Sequence, residues 1–171
     1  MKSEKGFSLV ELLITVGIIM TLGAMAILYT PNMLASYRVR GATRLIYSDM
    51  QMARLKAIKE GKGFAVEFTS ATAYCVKNQG TDSDWDAGCT SGAGDDIFKT
   101  VDLSGEYSGV NATSICGGAS GRVNFNANGT AGCTGNRVEI SKGSRRQFLC
   151  INTSTGNIRV IDPEPAQTAC S

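Results

Sequence analysis

Residues 6–29, GFSLVELLITVGIIMTLGAMAILY, are apolar almost throughout and contain no Lys or Arg; the single carboxylate is Glu11. No other stretch limits the fold of the chain as strongly. Taken as a helix rising ~1.5 Å per residue, residues 7–29 cover about 35 Å, against about 30 Å for a bilayer core. The expectation is a membrane-spanning helix over 7–29. The short segment before it carries Lys2, Lys5 and the amino terminus against Glu4, and is expected to stay cytoplasmic. A secretory signal would show a shorter apolar core and then an A-x-A-like cleavage site, and neither is present. The body after the helix is therefore expected to stay anchored and to face outward.

The remainder of the 171 residues suits one domain. A net charge of +2 is too small to argue nucleic-acid binding by itself. No His occurs, which removes the commonest general base and a common metal ligand. The Ser and Asp residues form no recognisable nucleophile arrangement, so no enzyme is expected. The cysteines, Cys75, Cys89, Cys116, Cys133, Cys150 and Cys170, all follow the apolar run and form neither a CxxC nor a zinc-like spacing. An even count in a small exported domain favours disulfides in an oxidising compartment. Short-range closure joins Cys75 with Cys89, Cys116 with Cys133, and Cys150 with Cys170; partly buried free thiols are the alternative.

Pro31 removes a backbone donor and biases Thr30 away from helical geometry. It marks either a kink or local unwinding in one long helix, or a helix end. From Asn32 a helical period resumes through Val39, Ala42, Ile46, Met50, Ala53 and Ala57, widened by Leu45, Met52 and Ile58. Arg38, Arg40, Arg44, Asp49, Arg54, Lys56 and Lys59 fall mostly off that face. Gly61 and Gly63 end the helix. The period then becomes two. Strands are expected over 63–69, 73–77, 97–103, 122–126, 137–141, 146–152 and 157–161, with a hairpin turn at Asn128 and Gly129. Residues 78–96 read as a polar loop closed at Cys89, 104–120 as irregular, and the end as a tail tied by Cys170. The expected fold class is α+β: a long N-terminal helix, membrane-spanning in its first half, packed on a small, mostly antiparallel sheet. Its parts are a leader over 1–6, the span 7–29, an amphipathic continuation 30–61 and a β-rich domain 62–171.

The junction KGFSLVE at 5–11 joins a short basic leader, Gly6 followed by Phe7, and Glu11 five residues into the chain that cleavage would leave. It resembles the processing site of type IV prepilins and of the pseudopilins of type II secretion. The run ATRLIYSDMQMARLKAIKEGKGFAVEF at 42–68, VNFNANG at 123–129 and STGNIRV at 154–160 resemble the body of the GspH/FimT family; Ala127 stands where relatives often carry a Pro. The resemblance implies a type IV pilin-like fold, cleavage between Gly6 and Phe7 by a prepilin peptidase, and N-methylation of Phe7. A charge in hydrocarbon costs several kcal/mol unless paired or shallow. Glu11 lies about one turn from Phe7, so it is shallow. In the family its partner is the Phe amine of a neighbouring subunit, which sets register in a fibre. A carboxylate snorkelling at the interface of a plain anchor is the alternative. Phe7, Leu9, Val10, Leu12, Leu13, Ile14, Val16 and Ile18 would supply the packing between subunits.

The implied protein is a minor subunit at or near the tip of a type II secretion pseudopilus or type IV pilus. Its partners would be other minor and major pilins or pseudopilins, the prepilin peptidase, the inner-membrane assembly platform, and membrane lipid before assembly. It would sit single-pass in the bacterial inner membrane, its C-terminal domain in the periplasm, until it enters the fibre. Some relatives act in DNA uptake through a Gly-Arg-x-Arg pattern in the C-terminal hairpin. Here Gly156, Asn157, Ile158 and Arg159 match half of it, and Lys142, Arg145 and Arg146 lie near in sequence as further phosphate contacts. A solvated basic turn is the other reading. Asp82, Asp84 and Asp86 alternate as carboxylates do in calcium loops, with Asp95 and Asp96 beyond them. Ala87 and Ala93 stand where an EF-hand needs a glycine and a glutamate. No cofactor is expected, with calcium the one metal to weigh.

Overall fold

The computed structural model describes residues 8–80, 85–86, 88–89, 95–116, 121–133, 136–162 and 170, with the backbone alone for 26–32. The first element is the helix α1, Leu9–Glu60, which runs past Pro31 without interruption, so Pro31 does not end it. The chain divides into two units, Met1–Ala35 and Ser36–Ser171, each taken by itself.

In the first unit the side chains of 9–25 are exposed on every side of the helix. Among the described residues no helix is long and apolar enough to cross a membrane. The expectation of a transmembrane helix over 7–29 is corrected accordingly. The single-pass inner-membrane location, with its cytoplasmic N-terminus, rested on that span and is corrected with it.

The second unit holds the rest of α1 and nine strands. These are β1 (Phe64–Phe68), β2 (Ala73–Asn78), β3 (Ile97–Asp102), β4 (Asn111–Ser114), β5 (Arg122–Phe125), β6 (Ala131–Gly132), β7 (Arg137–Lys142), β8 (Arg145–Ile151) and β9 (Ile158–Ile161). The expected α+β class with antiparallel pairing holds, but the strands form two sheets, ordered β3-β2-β1-β5-β6 and β4-β7-β8-β9. The helical stripe Val39, Ala42, Ile46, Met50, Ala53 and Ala57 is wholly buried. It shares one core with Phe64, Val66, Tyr74 and Phe125 of the first sheet and Val138, Ile140, Leu149 and Ile151 of the second. Gly61, at φ +66°, takes the left-handed conformation that closes a helix, one residue past Glu60.

Disulfides join Cys75 to Cys89, Cys116 to Cys133 and Cys150 to Cys170, the partners that short-range closure selects. Cys116 follows β4 and Cys133 follows β6, so the second bond ties one sheet to the other. Closing loops of 14 to 20 residues limits the unfolded chain by roughly 3 kcal/mol each.

Asp49, expected on the polar side of the helix, is instead buried at 4% exposure. Its carboxylate accepts hydrogen bonds from Tyr74 Oη at 2.7 Å and from Lys99 Nζ at 2.7 and 2.8 Å. This triad pins α1 to β2 and β3. Burial, and then the Asp49 carboxylate, push the Tyr74 hydroxyl well above its ordinary 10.0, so the fold holds the neutral form. A raised pKa gives stability that is fully present below the unfolded value and drains as pH rises above about 10. Wild type should therefore lose up to ~1.4 kcal/mol more than Tyr74→Phe between pH 10 and 11, read from urea midpoints. Equal losses in the two proteins would show that Tyr74 does not carry this dependence.

Candidate functional site

Gly6 and Phe7 lie outside the described residues. Glu11 lies in the first turn of α1, where the helix dipole favours a carboxylate. It is exposed, and among the described residues no ion pair reaches it. Around it Leu9, Val10, Leu12 and Leu13 are 59–75% exposed. A rod that is apolar all round cannot rest in water; such helices are found covered by other apolar groups. The sequence thus supplies a carboxylate inside a bare hydrophobic surface, and among the described residues no ion pair reaches the carboxylate and the side chains of 9–25 stay exposed.

Of the four basic residues named for phosphate contact, Lys142, Arg145 and Arg146 sit together at the β7–β8 hairpin and Arg159 lies apart. Lys142 Nζ donates to the Ser108 carbonyl, which also accepts from Arg38 Nη1 at 3.2 Å. Arg146 Nη1 is 3.5 Å from Glu139 Oε1. Arg159 sits opposite Cys150, five residues along β8 from Arg145, or about 17 Å.

The glycine shared with the DNA-uptake pattern has a packing reason of its own. Gly156 has φ +65°, and a Cβ there would lie 1.9 Å from the Gly129 carbonyl oxygen. Arg54 of α1 reaches both turns at this point, donating to Gly129 O at 3.1 Å and to Thr155 O at 2.7 Å. The β5–β6 and β8–β9 turns are thereby latched to the helix and to each other; Ala131 N also donates to Thr153 O at 2.9 Å.

A buried ionic cluster on the outer face of the first sheet escaped the sequence reading. Lys77 on β2, 1% exposed, lies 2.8 Å from Glu67 Oε2 and 3.0 Å from Asp95 Oδ2. It also donates to the carbonyls of Asp86 and, at 3.2 Å, Gly88. The Glu67 Oε2 contact is an ion pair at close range rather than an aligned hydrogen bond. Glu67 Oε1 accepts from Gly88 N at 2.8 Å, and Arg122 Nη1 lies 3.7 Å from Oε2. The Arg122 guanidinium lies 5.2 Å from the Trp85 ring. The described parts of the loop, 85–86 and 88–89, are held against the sheet by these contacts and by Cys75–Cys89. Asp82 and Asp84 lie outside the described residues. Asp86 meets the cluster through its backbone, its N–H donating to Asp95 Oδ2 at 3.0 Å. Asp95 is committed to an ammonium, and Asp96 pairs with Asn78. Among the described residues no group of carboxylates is placed to hold a metal ion.

A bare apolar helix before a disulfide-tied, two-sheet body is the arrangement of a pilin-like subunit. The family model described as type II transport protein GspH matches residues 42–156, and the chain belongs to that family. The prokaryotic N-terminal methylation motif matches residues 1–27. Among solved structures the chain is similar to the type IV minor pilin FimU of Pseudomonas aeruginosa, with 16% identity over 77% of this chain and 99% of that one and a TM-score of 0.51, which shows the fold. It is also similar to the minor pseudopilin EpsH from the Type 2 Secretion System of Vibrio cholerae, with 12% identity over 76% of this chain and 99% of that one and a TM-score of 0.49. No curated protein matches the chain significantly. The protein is a minor pseudopilin or pilin subunit of a type II secretion or type IV pilus system, and its role is structural rather than enzymatic.

Proposed function

We propose that the chain is built into the fibre at or near its tip, after cleavage between Gly6 and Phe7 and methylation of the new Phe7 amine. The observation that carries this reading is the exposed apolar helix with Glu11 as its one carboxylate. Neighbouring helices of the same kind would cover Leu9, Val10, Leu12, Leu13, Ile14, Val16 and Ile18. An amine on a neighbouring Phe7 would neutralise Glu11 and set the axial step, since an unpaired charge among apolar side chains is costly. The methylation motif over residues 1–27 supports the cut and the modification. In this reading 1–6 is a discarded leader, 30–61 carries the body, and 62–171 faces the outside of the fibre. Its partners are other pilins or pseudopilins, the prepilin peptidase and the assembly platform.

Intact-mass and N-terminal analysis of the purified chain tests the processing step. The expected species begins at Phe7 with one added methyl group. A chain that still begins at Met1 would contradict it.

Less supports the second reading, DNA uptake: Gly156 has a packing role of its own and Asn157 replaces the first Arg of the pattern, while Lys142, Arg145 and Arg146 cluster at the β7–β8 hairpin and Arg159 lies apart.

A further inference from the structure

A cleft of ≈ 250 Å³ opens where the first turns of α1 in the second unit meet the start of β8. Ser36 and Arg40 line it from the helix, Arg145, Arg146 and Gln147 from β8, and Asp162 from the end of β9. Its floor is fixed. Gln147 is 7% exposed, and its amide donates to Asp162 Oδ1. The rim is strongly basic: three guanidiniums face one carboxylate. Among the described residues the only ion pair made by these side chains is Arg146 with Glu139, at 3.5 Å and with Arg146 58% exposed, an arrangement worth little. Among the described residues no ion pair occupies Arg40 or Arg145.

Converging cations in a concave site raise the local concentration of anions. Arginine forks match carboxylates in two-point contacts. The volume admits one or two carboxylate side chains. We propose that this cleft receives acidic side chains from a neighbouring subunit of the fibre, which orients the body of the protein while the N-terminal helix sets the axial step. The proposal rests on the subunit reading above, since that reading supplies a protein neighbour.

Full-length protein in detergent is titrated by calorimetry with a tetraglutamate peptide at low ionic strength, and separately with duplex DNA. Saturable peptide binding is expected. The double variant Arg40→Gln with Arg145→Gln should weaken it about tenfold or more, and Arg159→Gln should leave it unchanged. In cells the double variant should reach sheared fibres less often than wild type, with its three disulfides intact. Absence of saturable peptide binding would overturn the proposal, as would an equal loss in Arg159→Gln. Tighter retention of duplex DNA through Arg40 would overturn it in favour of nucleic acid. Wild type entering fibres while peptide binding fails removes the cleft alone; wild type absent from fibres removes the subunit reading with it.

Discussion

Lys77→Ala is expected to destabilise the body by about 3–5 kcal/mol, the cost of breaking a buried ion pair by removing one partner. The ammonium is 1% exposed and stands between the Glu67 and Asp95 carboxylates, themselves almost wholly buried. Without it Glu67 keeps only Arg122, at 3.7 Å, Asp95 has no other ion pair among the described residues, and the carbonyls of Asp86 and Gly88 lose this donor. Neutralising the acceptors as well should restore much of the loss, because a buried pair replaced as a whole is often close to neutral. Urea unfolding with the disulfides intact, on Lys77→Ala and on Lys77→Met with Glu67→Gln and Asp95→Asn, separates the two effects. A single-variant cost below ~1 kcal/mol would mean that the cluster does not hold the loop on the sheet.

Gly156→Ala should cost about 3 kcal/mol, from ~1–2 for a side chain in left-handed backbone and ~1–3 for overpacking. An added Cβ would meet Gly129 O at 1.9 Å and Arg54 Nε at 2.9 Å, and neither can retreat, because each bonds the other. Gly143 is the internal control. It has φ +59° with nothing within 4 Å of an added Cβ, so Gly143→Ala meets the conformational cost alone. Comparable losses at the two positions would show that the latch between the β5–β6 and β8–β9 turns has room to spare.

Local periodicity made most of the body legible. The spacing of Val39, Ala42, Ile46, Met50, Ala53 and Ala57 marks the face that is buried, and alternation marks seven of the strands. What was missed depends on residues far apart in the chain. Asp49 is drawn inside by Tyr74 and Lys99. The strand Asn111–Ser114 offers only Ala112 as a buried position and exists through its pairing with β7. The loop after β2 reads as solvated until Lys77 is seen to hold its backbone. The methylation motif around 5–11 was readable because its signal is contiguous. The basic cleft was not, since Arg40, Arg145 and Asp162 meet only in the fold. The membrane span was read from length and hydropathy alone, and the described helix does not supply it.

The central claim is that subunits stack through their apolar helices with one carboxylate in register. Recovery of the protein in sheared fibres, compared between wild type and Glu11→Gln, tests it most directly. The account predicts that wild type is recovered and that Glu11→Gln is lost from the fibre fraction while its body keeps all three disulfides. Glu11→Gln recovered at the wild-type level would contradict it.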